Sequence, residues 1–321
     1  KCPEGELNGE PDDLLASVVS IDPQTGGVRG YYGGDNPGGW DLAQAGLQTG
    51  SSFKVFALVA ALEQDIPLSK TYSSAPFQAS GGLTVENSDG ESCGTCNLAT
   101  AMKMSLNTVY YRLMMDLDGG ARAVADAAHR AGVAESFGNI EHTLQEANGE
   151  PEGGVVLGQY QSRVIDMASA YATLAASGVY HEPHFVQKVV DAEGQVLYER
   201  KTEGKRVFPA EVADNVSAAL EPVAAYSNGN SLYDSSLGSR PSAAKTGTVQ
   251  LGDTGQNKDA WMVGYTPQLS TAVWVGTSDG TALTNYNGAS IYGSGLPSSI
   301  WKSAMDAALE GKEIKQFPEP E

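Results

Sequence analysis

Basic residues, cysteines and long apolar runs are all scarce in this chain. Its 321 residues carry 20 Lys and Arg against 39 Asp and Glu, a formal charge of −19. A surface this acidic excludes nucleic acid and anionic lipid headgroups as main partners. No stretch reaches the ~18–20 apolar residues of a membrane span. No secretory signal opens the chain, whose first residue is Lys1, and we expect a fragment excised from a longer protein. Cysteine occurs three times, at Cys2, Cys93 and Cys96. Zinc would need two more ligands beside Cys93-Gly94-Thr95-Cys96, and no second CxxC or nearby His supplies them. A structural loop disulfide is the leading reading of Cys93 and Cys96, ahead of free thiols and of redox chemistry. His181-Glu182-Pro183-His184 reads as a turn rather than a metal pair. We expect no metal and no cofactor.

What is present is 41% hydrophobic residues, enough for one large core or two modest ones. Residues 1–13 are polar, rich in Gly, Pro and acids, and read as a linker. Two strand-like runs, 14–22 and 27–33, flank Pro23-Gln24-Thr25-Gly26, a hairpin signal. Residues 63–96 read mostly as loop. Helical composition recurs at 97–104, 108–117, 121–131, 164–176 and 211–225, and a last helix is expected from about 298 to 309. A small hairpin is expected over 185–190 and 195–199. Three further strands are expected at 240–250, 259–265 and 269–276, the last two joined through Thr266-Pro267-Gln268. Strands at both ends of the chain can meet in one antiparallel sheet, with helices packed on it and the middle of the chain forming a helical lobe. The expected fold is therefore α/β, of the α+β type, with a five-stranded antiparallel sheet and a cleft between sheet and lobe.

Into this frame falls the stretch QTGSSFKVFALVAALE, residues 48–63. Every residue from Val55 to Leu62 is apolar, so a helix here is buried on all sides. Lys54 nevertheless sits in its first turn, and a buried ammonium must be paired or lose its proton. Ser51 lies three residues earlier, on the same helix face. A lysine whose pKa is lowered by burial can take a serine proton, and the helix N-terminus offers N–H groups to a developing oxyanion. SxxK alone is a weak pattern. It recurs at Ser242/Lys245, where a strand sends the two side chains to opposite faces, and at Ser299/Lys302, on an amphipathic helix with a solvated lysine.

Two other elements change its weight. Ser105-Leu106-Asn107 is the one SxN of the chain and interrupts a helical stretch; read alone it is a helix cap. Lys245-Thr246-Gly247-Thr248 is the one KTG. On a strand, Lys245 and Gly247 share one face and Thr246 and Thr248 the other. Read alone it is an edge strand with a solvated lysine; at a cleft, Gly247 would permit close backbone approach and the edge could pair with an extended peptide. Trp261 and Trp274 read as sheet packing. Tyr286-Asn287-Gly288 and Tyr292-Gly293 are placed in a loop at the cleft's border.

SxxK, SxN and KTG in that order are the signature of penicillin-binding proteins and class A β-lactamases. The chain resembles the transpeptidase domain of a class A, bifunctional penicillin-binding protein over about residues 14–310, with 311–321 as a tail and a helical lobe at roughly 63–230. SIDPQTGGVRGYYGG, IDMASAYATLAASG, DAWMVGYTPQLSTAVWVG and LPSSIWKSAM extend the resemblance beyond the motifs. It implies a peptidoglycan D,D-transpeptidase that β-lactams acylate. Ser51 would be the acylated nucleophile and Lys54 its base. Ser105 would relay a proton to the leaving amine. Asn107 would hold the substrate amide and Lys54, and Lys245 would keep the site cationic and tune Ser105. Thr246 and Thr248 would bind the terminal carboxylate of a D-Ala-D-Ala stem peptide beside Gly247, and the N–H groups of Ser51 and Thr248 would form the oxyanion hole. It further implies an upstream glycosyltransferase domain, a membrane anchor outside this sequence and an extracytoplasmic location. The alternatives are a DD-carboxypeptidase; a β-lactamase, for which Glu141-His142-Thr143-Leu144-Gln145 is a near miss to the E-x-x-L-N loop; and a silent cell-wall binding or sensor module.

Overall fold

The computed structural model describes residues 13–35 and 38–320. The expected linker thus lies almost wholly outside the described residues, as does Cys2.

Five strands form one antiparallel sheet: β1 (Leu14–Ile21), β2 (Val28–Tyr32), β3 (Ala243–Gln250), β4 (Asn257–Thr266) and β5 (Leu269–Thr277). Their order across the sheet is β3-β4-β5-β1-β2, so the two ends of the chain meet where β1 pairs with β5, Val19 opposite Ala272. The central strands are buried on both faces, which explains why β4 and β5 read as nearly unbroken apolar runs rather than alternating ones. The alternation persists in what each face meets. Val19, Ile21, Trp261, Val263, Tyr265 and Trp274 belong to the large inner core. Ala244, Met262 and Val273 join the outer cluster around Trp301 and Met305.

Helix α1 (Lys54–Glu63) runs through the middle of the inner core, buried from Lys54 to Ala61. It packs against α3 (Asn107–Asp116), α4 (Ala121–Ala131) and α6 (Ala210–Tyr226), while α5 (Val164–Ala175) lies across the sheet's inner face. A helix this apolar has no solvent side to lose, so its neighbours can enclose it completely. The short α2 (Leu98–Met104) packs on α6, and α7 (Leu296–Leu309) covers the outer face of β4 and β5. No helix among the described residues is long and apolar enough to cross a membrane.

Most of the sequence reading matches this architecture; three departures have physical causes. Residues 63–96 are not simply loop: Thr71–Ser73 pairs with Thr95–Asn97, and Phe77–Gln78 with Thr84–Val85. These ladders are two or three residues long, too short to leave a period in the sequence. The expected hairpin forms between Lys188–Val190 and Val196–Glu199, yet both of its strands are exposed, Leu197 at 66%. Lys302 is not simply solvated, since it forms a 2.5 Å ion pair with Asp306 one turn on.

Trp301 is fully buried, and its indole N–H donates to the Gly264 carbonyl at 3.2 Å. Truncating a buried Trp removes transfer free energy and leaves a cavity. Trp301→Ala is expected to cost about 3–5 kcal/mol in urea unfolding, because α7 loses its anchor on the sheet.

Candidate active site

The turn before α1 is built by backbone contact with two other segments. Gly50 has φ +57, and a Cβ there would lie 2.6 Å from the Thr248 carbonyl oxygen and 2.8 Å from the Thr248 amide nitrogen. A Cβ on Gly247 would lie 2.2 Å from the Thr49 carbonyl oxygen. The close approach expected of Gly247 is therefore real, and its partner is the Ser51 turn itself. β3 is an edge strand, and the Ser51 turn sits against it. The turn is tied down further by Tyr171, whose hydroxyl donates to the Ser52 carbonyl at 2.7 Å, and by Trp261, whose indole N–H donates to the Gln48 carbonyl at 2.7 Å. Trp261 packs in the sheet as expected, and also anchors this turn.

α2 ends at Met104, Ser105 adopts the left-handed conformation (φ 60, ψ 36), and α3 starts at Asn107. Neither Ser105 nor Asn107 caps α3 with its side chain: the N-cap is Leu106, with no side-chain bond. Both side chains turn inward instead. Lys54 Nζ donates to the Ser105 carbonyl at 2.5 Å and to Asn107 Oδ1 at 2.7 Å, and it lies within hydrogen-bond distance of Ser51 Oγ at 2.8 Å and of Ser105 Oγ at 3.3 Å. Lys245 Nζ donates to Ser105 Oγ at 2.7 Å and to the Thr246 carbonyl at 3.1 Å. The edge lysine is not solvated; it is fully buried, like Lys54. Of the Ser242/Lys245 pair, Ser242 precedes β3 and Lys245 alone reaches Ser105.

Burial dominates the electrostatics. Desolvation pushes Lys54 well below its ordinary value, and the neighbouring Lys245 charge pushes it further, against a smaller opposing pull from Glu91. Desolvation likewise brings Lys245 down to about 7, again opposed by Glu91.

The cluster opens into a cleft of about 1010 Å³. Ser51, Ser105, Asn107, Thr246 and Thr248 all line it. The Thr248 hydroxyl accepts a hydrogen bond from the Gly293 N–H at 3.1 Å. That occupies a lone pair of the oxygen and leaves the hydroxyl proton to donate elsewhere. Of the two tyrosines placed at the border, Tyr292 lines the cleft and Tyr286 does not. Glu141 is exposed and lies outside the cleft lining. Cys93 and Cys96 form a disulfide in the loop beyond the rim. The turn expected at His181–His184 does not form: His184 instead bridges to Gly27 and its ring bonds Gln187 at 2.8 Å, and the described residues include no group of three or more His, Cys, Asp or Glu able to hold a metal.

Two serines hydrogen-bonded to two buried lysine amines beside a strand edge are an arrangement suited to acyl transfer, as expected from the three motifs of the penicillin-binding class. The profile of the penicillin binding protein transpeptidase domain matches residues 16–293, and the chain belongs to that family. It is 63% identical over 98% of its length to penicillin-binding protein 1A of Mycobacterium tuberculosis and 61% identical over 98% to that of Mycolicibacterium smegmatis. The chain spans 38% and 40% of the length of those two relatives. The solved structure of the PonA1 protein from Mycobacterium tuberculosis in complex with penicillin V superposes with a TM-score of 0.94 at 63% identity, covering 98% of this chain and 83% of that one.

Folding strips protons from the two lysines, so the unfolded chain binds more protons wherever Lys245 is neutral in the fold and charged outside it. The cost of burying Lys245 is fully present below about 7 and is relieved as pH rises toward the ordinary value of 10.5. In urea unfolding, the stability of the wild type relative to Lys245→Met is expected to rise across that window and to stay constant below it.

Proposed function

We propose that this domain is a peptidoglycan D,D-transpeptidase acting through a serine acyl-enzyme on Ser51. The observation that carries the reading is the set of partners around Lys54 Nζ. The Ser105 carbonyl and Asn107 Oδ1 can only accept hydrogen bonds, so they claim the two N–H groups of a neutral amine. The lone pair is then left toward Ser51 Oγ at 2.8 Å, where it can take the hydroxyl proton.

The steps follow from that arrangement. Ser51 Oγ attacks the carbonyl of the penultimate D-Ala as its proton passes to Lys54. The oxyanion is held by the N–H groups of Ser51 and Thr248, which the Gly50 turn keeps together. Asn107 holds the substrate amide. Thr246 and Thr248 take the terminal carboxylate, with Gly247 keeping the edge open, and the hydroxyl proton of Thr248 is directed by the Gly293 N–H. Ser105, bonded to Lys245, delivers its proton to the departing amine as the C–N bond breaks and takes in its place the proton that Lys54 received from Ser51, across 3.3 Å. The amine of a second stem peptide then attacks the ester, forming the cross-link and returning the proton to Ser51. β-Lactams enter as mimics and stay on Ser51. Similarity to penicillin-binding protein 1A relatives supports an upstream glycosyltransferase domain and a membrane anchor in the whole protein, with this domain extracytoplasmic.

The test is intact-protein mass spectrometry after mixing with benzylpenicillin. The expected result is one penicilloyl adduct mapping to Ser51, stable for hours, absent in Ser51→Ala and unaffected in lifetime by Glu141→Gln. An adduct lost within seconds while penicillin is consumed would mean a β-lactamase, and no adduct at all would leave a binding module.

A further inference from the structure

We propose that Asn87, remote from every motif, is the positioning residue that sets Asn107 for catalysis. α3 begins at Asn107 but receives no cap from its own N-cap residue. The first-turn amides of a helix need an acceptor from somewhere. Asn87 supplies it from another segment: its Oδ1 accepts from the Thr108 N–H at 3.0 Å and from the Thr108 hydroxyl at 3.1 Å. Its amide nitrogen donates to the Ser74 carbonyl at 3.0 Å and to the Glu91 carbonyl at 2.8 Å. All four bonds of a largely buried carboxamide are therefore spent on one junction, which joins the start of α3 to the rim loop of the cleft.

The neighbouring residue completes the device. Asn107 donates one N–H to the Glu86 carbonyl at 3.0 Å, while its Oδ1 accepts from Lys54. Those two bonds fix which way round the Asn107 amide lies and leave its second N–H for a substrate carbonyl. The Glu86 carbonyl can hold that position only while Asn87 is pinned. Ser74 extends the brace to the disulfide loop, its hydroxyl accepting from the Cys93 N–H at 3.1 Å. Asn87 does not touch the reacting atoms; it acts through Asn107.

The inference rests on Ser51 as the acylated residue, and the two fail differently. Without that chemistry the wild type gives no adduct; if only this inference is wrong, wild type and variants label alike. The experiment follows the rate constant of penicilloyl formation by mass spectrometry from about pH 5.5 to 9, each variant being read as a ratio to wild type so that the titration of Lys245 near 7 is common to both. The rate constant per molecule does not depend on the fraction folded, and thermal melts of each variant accompany it. Asn87→Ala is expected to slow acylation by about 10- to 100-fold, as loss of alignment does, with a ratio to wild type that is flat in pH.

Asn87→Asp carries the sharper readout. A protonated carboxyl still offers one donor, whereas an ionised one faces two carbonyl oxygens. The rim carboxylates of Glu86, Asp89 and Glu91 favour the protonated form, and the Lys54 and Lys245 side chains behind Asn107 oppose it only when charged. The ratio of this variant to wild type should therefore start near one at the acid end and fall as pH rises. A merely structural role would lower the melting temperature without adding a titration. A flat ratio for Asn87→Asp, or acylation within about threefold of wild type in a folded Asn87→Ala, overturns the proposal.

Discussion

The rest of the structure depends on placing one lysine amine where water cannot reach it. Lys54 begins a helix with no wet face, and the fold encloses it on every side. A charged amine there would carry a large desolvation penalty, so the site instead provides oxygens whose geometry suits a neutral one. Two of those oxygens come from Ser105 and Asn107, at a break between helices that a continuous helix could not offer. The left-handed Ser105 costs some backbone strain, and the return is a carbonyl aimed at Nζ.

The second constraint is that this amine must sit beside an open sheet edge. An edge strand is an aggregation hazard in most proteins, because its N–H and C=O groups invite pairing. Here the hazard is confined by the Ser51 turn packed against Thr248 and by the Gly293 loop bonded to the Thr248 hydroxyl. What stays open is a short cleft-facing stretch with hydroxyls and backbone donors, suited to an extended peptide that ends in a carboxylate. In a chain of −19 charge the cleft is an exception in its electrostatics: two buried lysine amines face it, opposed by the rim carboxylate of Glu91. With Lys245 brought down to about 7 and Lys54 well below its ordinary value, both amines hold their protons less tightly than in water.

The sequence made legible whatever depended on local chemistry. The apolar run after Lys54 predicted its burial, the hairpin at Pro23–Gly26 and the turn at Thr266–Gln268 predicted strand pairing, and the order of three short motifs predicted the contents of the cleft. Gly247 was predicted to permit a close approach, though not of which segment. The rest was hidden because it is made by backbone groups distant in sequence. Asn87 bonds Ser74, Glu91 and Thr108 through positions that carry no pattern. Tyr171 and Trp261 anchor the Ser51 turn through carbonyls, which every residue has. The near miss at Glu141 could be placed outside the cleft only once the tertiary structure put it on the surface.

The central claim is that Lys54 is neutral in the resting enzyme, with its lone pair on the Ser51 hydroxyl. The most direct test is an NMR titration of the protein with 13C-labelled lysine side chains, assigning the two buried residues by Lys54→Met and Lys245→Met. The account predicts that the Lys54 signal has the shift of a neutral amine at pH 7, where an ordinary lysine is an ammonium, while Lys245 titrates near 7. A Lys54 signal that stays ammonium-like up to pH 10 would contradict the account, because Ser51 would then have no base.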